Sequence, residues 1–137
     1  MNKQMTLKNV GVAVAIIASL TIICVVMSFF GSVVAIRQTE PYNHSVDLAL
    51  NSAAVQQALG APVEVFRFPQ GSVNTANGGD AELYIPIRGS QARASIRVNG
   101  TNLNGEWKYY AIRVDTEDGA HINLLEETTP TVVDHHE

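Results

Sequence analysis

The stretch ELYIPIRGSQARASIRVNG, residues 82–100, alternates apolar and polar side chains on both sides of a Gly89-Ser90 turn. A period of two is the signature of a strand with one face buried. With Ala81 in front, the first arm sets Ala81, Leu83, Ile85 and Ile87 on one face and Glu82, Tyr84, Pro86 and Arg88 on the other. The second arm repeats the division, with Ala92, Ala94, Ile96 and Val98 inward and Arg93, Ser95 and Arg97 outward. The hairpin contains no His, no Cys and no acidic pair. It reads as scaffold, and the fold is built outward from it.

Downstream, residues 99–105 hold two Asn-Gly pairs, which suit the positive backbone angles of tight hairpin turns. The strand EWKYYAIRV (106–114) shifts phase: Trp107 and Tyr109 share one face, Ile112 and Val114 the other. That predicts a β-bulge near Tyr109-Tyr110, or a strand covered on both faces. HINLL (121–125) is the last strand. Upstream, VEVFRF (63–68) is the first, followed by the polar loop PQGSVNTANGGD (69–80). Ahead of these, a helix is predicted over residues 46–59, with Ser45 as N-cap and Asp47 complementing the dipole in its first turn. Gly60 ends it in a left-handed conformation and Pro62 blocks its continuation. Pro86 lacks an amide hydrogen, which places its strand near a sheet edge or at a bulge; an exposed edge there would accept a partner strand. The order predicts an α+β domain: one main helix packed on a twisted, mostly antiparallel sheet of four to five strands.

A long apolar run precedes the domain. Residues 10–36, VGVAVAIIASLTIICVVMSFFGSVVAI, carry no charge. As a helix they span roughly 40 Å, against about 30 Å of membrane hydrocarbon. This core is too long for a cleavable signal peptide, and Ile22-Ile23 before Cys24 do not suit a lipoprotein. The run therefore reads as a single N-terminal transmembrane signal-anchor. Lys3 and Lys8 precede it, which predicts a cytoplasmic N-terminus and a domain on the periplasmic side of a bacterial inner membrane. Gly11, Ala15 and Ser19 recur every fourth residue, as do Cys24, Ser28 and Ser32, and such stripes admit a second helix closely. The expected organisation is a short basic N-terminus (1–9), the anchor (10–36), a linker (37–45), the α+β domain (46–126) and an acidic disordered tail (127–137).

Charge and composition narrow the function. All thirteen Asp/Glu follow the apolar run, and two of the nine Lys/Arg precede it. The soluble part is thus acidic, which argues against a nucleic-acid partner. The sole cysteine, Cys24, lies in the apolar run. No nucleophile elbow, phosphate loop or zinc spacing occurs. His44, His121, His135 and His136 stand at the ends of elements, and the terminal DHHE is too loosely tethered to define a metal site. Arg88, Arg93, Arg97 and Arg113 are expected on one sheet face, read as solvated and balanced by Glu82, Glu106 and the acidic tail, with an anionic-lipid or acidic-partner contact as the alternative. Trp107, Tyr109 and Tyr110 read as sheet packing, with an aromatic binding patch as the alternative. No enzyme, cofactor, metal site or small-molecule substrate is predicted. A pocket around Trp107 containing Asp115 or His121 would reopen the enzymatic reading.

The ordered set of an apolar helix, VQQALGAP, AELYIPIRGSQARASIRV and NGEWKYYAIRV resembles the cytochrome oxidase complex assembly protein 1 family, whose domain is related to a small subunit of the mitochondrial presequence translocase. The likeness covers about residues 46–125 and rests on Leu59, Gly60 and Pro62, on Pro86, Gly89 and Ser90, and on Trp107 ahead of the last long strand. It implies a membrane-anchored, non-enzymatic factor that binds subunits of a respiratory terminal oxidase, cytochrome c oxidase, during biogenesis. The competing readings are an anchored envelope ligand-binding or inhibitor domain, and an accessory subunit of another membrane complex such as a translocase.

Overall fold

The computed structural model describes residues 2–127. Positions 128–137, with the DHHE segment and most of the predicted acidic tail, lie outside the described residues. The chain divides after Ala35 into two compact units.

The first unit consists of α1 (Asn2–Arg37) as far as Ala35, the last-turn residues Ile36 and Arg37 belonging to the second unit; the helix begins in the basic N-terminal stretch and is apolar around its whole circumference. Its span Thr6–Arg37 is long and apolar enough to cross a membrane. Hydroxyls within it are satisfied by the helix itself: Ser19, Thr21 and Ser32 each donate to the carbonyl four residues back, at 2.8–2.9 Å. That is how a polar side chain is tolerated where no other donor or acceptor is near.

The second unit starts with two helices where one was expected. α2 (Glu40–Asn51) begins six residues before the predicted start, so residues 40–45 are helical rather than linker. Pro41 stands in its first turn, where proline's fixed φ is already helical and its missing amide costs nothing. Glu40 supplies the first-turn carboxylate. Ser45 is not the N-cap; it is fully buried inside α2, its hydroxyl donating to the carbonyls of Pro41 (2.6 Å) and Tyr42 (3.0 Å). The cap role falls to Ser52, whose extended backbone breaks the helix and whose Oγ accepts from the Val55 amide at 3.3 Å. α3 (Ala53–Leu59) follows and ends at Gly60, φ +79°.

Among the described residues, six strands then form one antiparallel sheet: β1 (Glu64–Val65), β2 (Gln70–Val73), β3 (Asp80–Arg88), β4 (Arg93–Leu103), β5 (Glu106–Thr116) and β6 (His121–Asn123). The order is β1-β3-β4-β5-β6, and β2 also pairs with β3. The predicted first strand shrinks to two residues, and the presumed polar loop contains β2. Gly71 permits this. At φ +119° it lies so close to β3 that a Cβ would stand 2.0 Å from the Glu82 carbonyl oxygen. The last predicted strand stops at Asn123. Leu124, in the short helix α4 (Leu124–Glu127), turns into the core instead, with Asn123 Oδ1 accepting from the Leu125 amide at 3.1 Å.

Because β1 and β2 share one side of β3 and β4 occupies the other, β3 is not an edge strand. Pro86 is accommodated differently. β1 pairs with Ile87 and Arg88 and β2 with residues 81–84, which leaves Pro86 opposite the gap between them. Its carbonyl accepts from the Phe66 amide at 3.3 Å, and its absent N–H, on the same side, means that only the return bond to Phe66 is missing and β1 pairing stops there.

The phase problem in β5 is resolved by a bulge. Asn99 pairs with Ala111 and Gly100 with Tyr109, so Tyr110 is the extra residue. It is 70% exposed. Trp107, Tyr109, Ile112 and Val114 consequently all face the same way. The turn into β5 is Asn104-Gly105, both at positive φ, while Asn99-Gly100 lies within β4. Ala49, Val55 and Leu59 from the helices pack with Leu83, Ile85, Ile87, Ile96, Val98, Ile112, Val114 and Leu124 into one core. One sheet face is therefore covered by helices and the other is open.

Candidate functional site

Five of the residues singled out in the sequence meet at one junction or flank it. The last carbonyls of a helix have no intrahelical donors; here the β3–β4 turn supplies them. Leu59 O accepts from the amides of Gln91 (2.8 Å) and Ala92 (3.1 Å), and Gly60 O accepts from Ser90 N at 2.8 Å. The turn is closed by Gly89 N donating to Ala92 O at 2.9 Å. Leu59 is fully buried, and the chain leaves through a cis Ala61–Pro62 peptide. Leu59, Gly60, Pro62, Gly89 and Ser90 are thus a joint between helix and hairpin. Pro86 sits two residues before the end of β3. Trp107 is not brought to them: it opens β5 opposite Asn102, near the hairpin tip.

The open face carries the chemistry. Arg88 pairs across the strands with Arg93, and Arg97 with Arg113. Like charges directly opposite one another need compensation, and it comes from residues other than Glu82 and Glu106. Arg88 reaches Glu64 at 2.7 Å. The Asp115 carboxylate, whose side chain is 16% exposed, receives Arg97 Nε at 2.7 Å, Arg113 Nε at 3.1 Å and His121 Nδ1 at 2.7 Å. Arg97 also lies over the Tyr84 ring, 5.7 Å from its centroid. At the β1–β2 edge, Arg67, Arg88 and Arg93 surround the Phe66 ring at 5.4–5.6 Å. A separate shallow concavity over β2, β3 and β4 is lined by Gln70, Gly71, Glu82, Leu83, Tyr84, Arg97 and Asn99.

The covered face holds Tyr109. Its ring stacks on His44 of α2, centroids 5.1 Å apart and planes 18° from parallel. Burial pushes the phenol up to about 12, and the nearby Glu40 carboxylate adds to the effect. The buried hydroxyl nevertheless makes no hydrogen bond of good geometry. Trp107 belongs to this face, and Asp115 with its cross-strand partner His121 to the other, so the sheet separates them.

Together these elements define a small α+β domain behind an apolar helix, with one sheet face packed and the other displaying a cross-strand arginine network. The family model for cytochrome oxidase complex assembly protein 1 matches residues 13–126, and the chain belongs to that family. The match runs from within α1 to α4, taking in both the apolar helix and the domain. No curated protein and no solved structure matches the chain. The family is one of assembly factors, which implies a role in cytochrome oxidase assembly and protein partners in oxidase biogenesis.

Signals for the junction were present in the sequence as the Gly60 and Gly89 breakers. The Phe66 cluster carried none, because Phe66 reads as one residue of an ordinary strand.

Proposed function

We propose that the chain is a membrane-anchored, non-enzymatic factor that binds subunits of a respiratory terminal oxidase during biogenesis, its domain on the periplasmic side of a bacterial inner membrane. The observation that carries this reading is the continuity of the family match through α1 into the domain. The family match takes in the apolar helix from residue 13 onward, which suits a factor that works on a membrane enzyme. In this reading α1 confines the domain to the membrane that holds its client, and confinement raises the effective concentration without any new contact. Gly11, Ala15 and Ser19 offer the client's helices a close approach, and the sheet face offers its charged groups outside the bilayer.

The test is extraction of native membranes in mild detergent, capture of the tagged full chain and mass spectrometry of what accompanies it. Enrichment of incompletely assembled oxidase subunits supports the proposal. Capture of translocase or other envelope components without oxidase subunits overturns it in favour of an accessory role in another complex.

A further inference from the structure

The cluster around Phe66 is unexpected in a chain of net charge −4. Three guanidinium groups, from Arg67, Arg88 and Arg93, converge on one ring. Among the described residues one carboxylate, Glu64, answers them through Arg88. Two residues further along, Phe68 is 47% exposed, and the guanidinium of Arg37 lies over its ring, 5.8 Å from the centroid. Arg37 is the last residue of α1 and the first charge after the apolar run. In a membrane-crossing helix such a residue marks the boundary between hydrocarbon and headgroups, where arginine extends its charge toward phosphate.

We propose that the segment 66–68, with Arg37, Arg67, Arg88 and Arg93, is a membrane-surface contact that takes the phosphodiester headgroups of anionic phospholipids. This rests on the anchoring of α1 proposed above. Arg37 fixes the depth, its contact with Phe68 brings the β1–β2 connection to the same level, and the three arginines beyond it supply charge complementary to an anionic surface. Phe68 contributes an apolar ring that an interfacial site can use. Guanidinium forks suit phosphate oxygens better than ammonium groups do, and all four cations here are arginine.

The full chain is reconstituted in nanodiscs of phosphatidylcholine alone and of phosphatidylcholine doped with phosphatidylglycerol, and amide hydrogen exchange is followed by mass spectrometry. Peptides covering residues 64–70 and 88–93 should exchange about fivefold more slowly in the anionic discs, the factor that one headgroup contact of about 1 kcal/mol supplies. High salt, and the R67Q and R93Q substitutions, should abolish the difference while exchange in the β4–β5 core stays unchanged. Equal exchange in the two discs, with the chain retained in vesicles at alkaline pH, overturns this proposal alone. Release from vesicles of both compositions overturns the anchor and this proposal together. Protection that appears only when an acidic protein partner is added, and not with lipid, also overturns it. Failure of the oxidase pull-down leaves it standing.

Discussion

Gly89 passes so close to the end of α3 that a Cβ built on it would lie 2.2 Å from the carbonyl oxygens of both Leu59 and Gly60. Those are the carbonyls that the turn's amides satisfy. The helix and the hairpin are joined by backbone, and a side chain at Gly89 would have to push the helix away to exist. Gly60 is constrained from the other side, by its positive φ and by Ser90 Oγ, which lies 2.3 Å from where a Cβ on Gly60 would stand.

Gly89→Ala should therefore destabilise the domain by about 2–3 kcal/mol, the range for overpacking against groups that cannot move. Urea unfolding of the full chain in detergent measures it. A change below about 0.5 kcal/mol would mean that α3 moves away from the turn at little cost.

Ser52 and Ser45 should respond oppositely to expectation from sequence. Ser52→Ala removes the N-cap of α3 and should cost about 1 kcal/mol. Ser45→Ala removes a hydroxyl bonded to two carbonyls of α2, and since helical carbonyls keep their amide partners the cost should stay under about 0.5 kcal/mol. Thermal melts of the two variants, side by side, distinguish a cap at 52 from one at 45.

Tyr109 should make stability fall in alkali. Its phenol ionises near 10 when unfolded and about 12 when folded. Between those values the unfolded chain holds fewer protons than the native one, so stability is full below about pH 10 and declines toward pH 12. Tyr109→Phe should remove this component of the slope and cost little at pH 7, since the buried hydroxyl makes no hydrogen bond of good geometry. Melting temperatures of the two proteins at neutral and alkaline pH provide the check.

Asp115 separates Arg97 from Arg113, which pair across β4 and β5. Asp115→Asn leaves the shape but removes the compensating charge. A loss of about 1 kcal/mol is expected, given that both arginines are about half exposed and screened by solvent. The loss should shrink as salt rises; a cost independent of ionic strength would locate the effect in hydrogen bonding instead.

The sheet's core was written in local alternation. Ala81, Leu83, Ile85 and Ile87, with Ala94, Ile96 and Val98, are buried as their spacing required, because a period of two is imposed by the strand itself and needs no knowledge of the partner. The apolar character of α1 was equally legible, although the helix runs from Asn2 and so takes in the basic stretch set apart from it in the sequence; the phase error beside Tyr109 left a bulge or a doubly covered strand open, and the register shows the bulge. The helix start was misplaced because Ser45 is a cap by residue type but is buried inside α2, which begins at Glu40 behind Thr39, and the break at Ser52 divides the expected helix in two.

What the tertiary structure alone decided is which distant segments meet. The polar composition of residues 69–80 concealed β2, since Gly71 reads as a loop breaker until β3 is seen beside it, two ångströms from where a side chain would be. Pro86 reads as an edge marker, yet its strand is interior and the edge partner is interrupted opposite it. Phe66, Arg88 and Arg93 lie on three separate segments, and nothing near any of them in the chain predicts that they share one ring. Periodicity is a property of neighbours two or four residues apart and survives in any fold that buries one face. Convergence depends on register and loop closure across the sheet, which the packing of the whole domain sets.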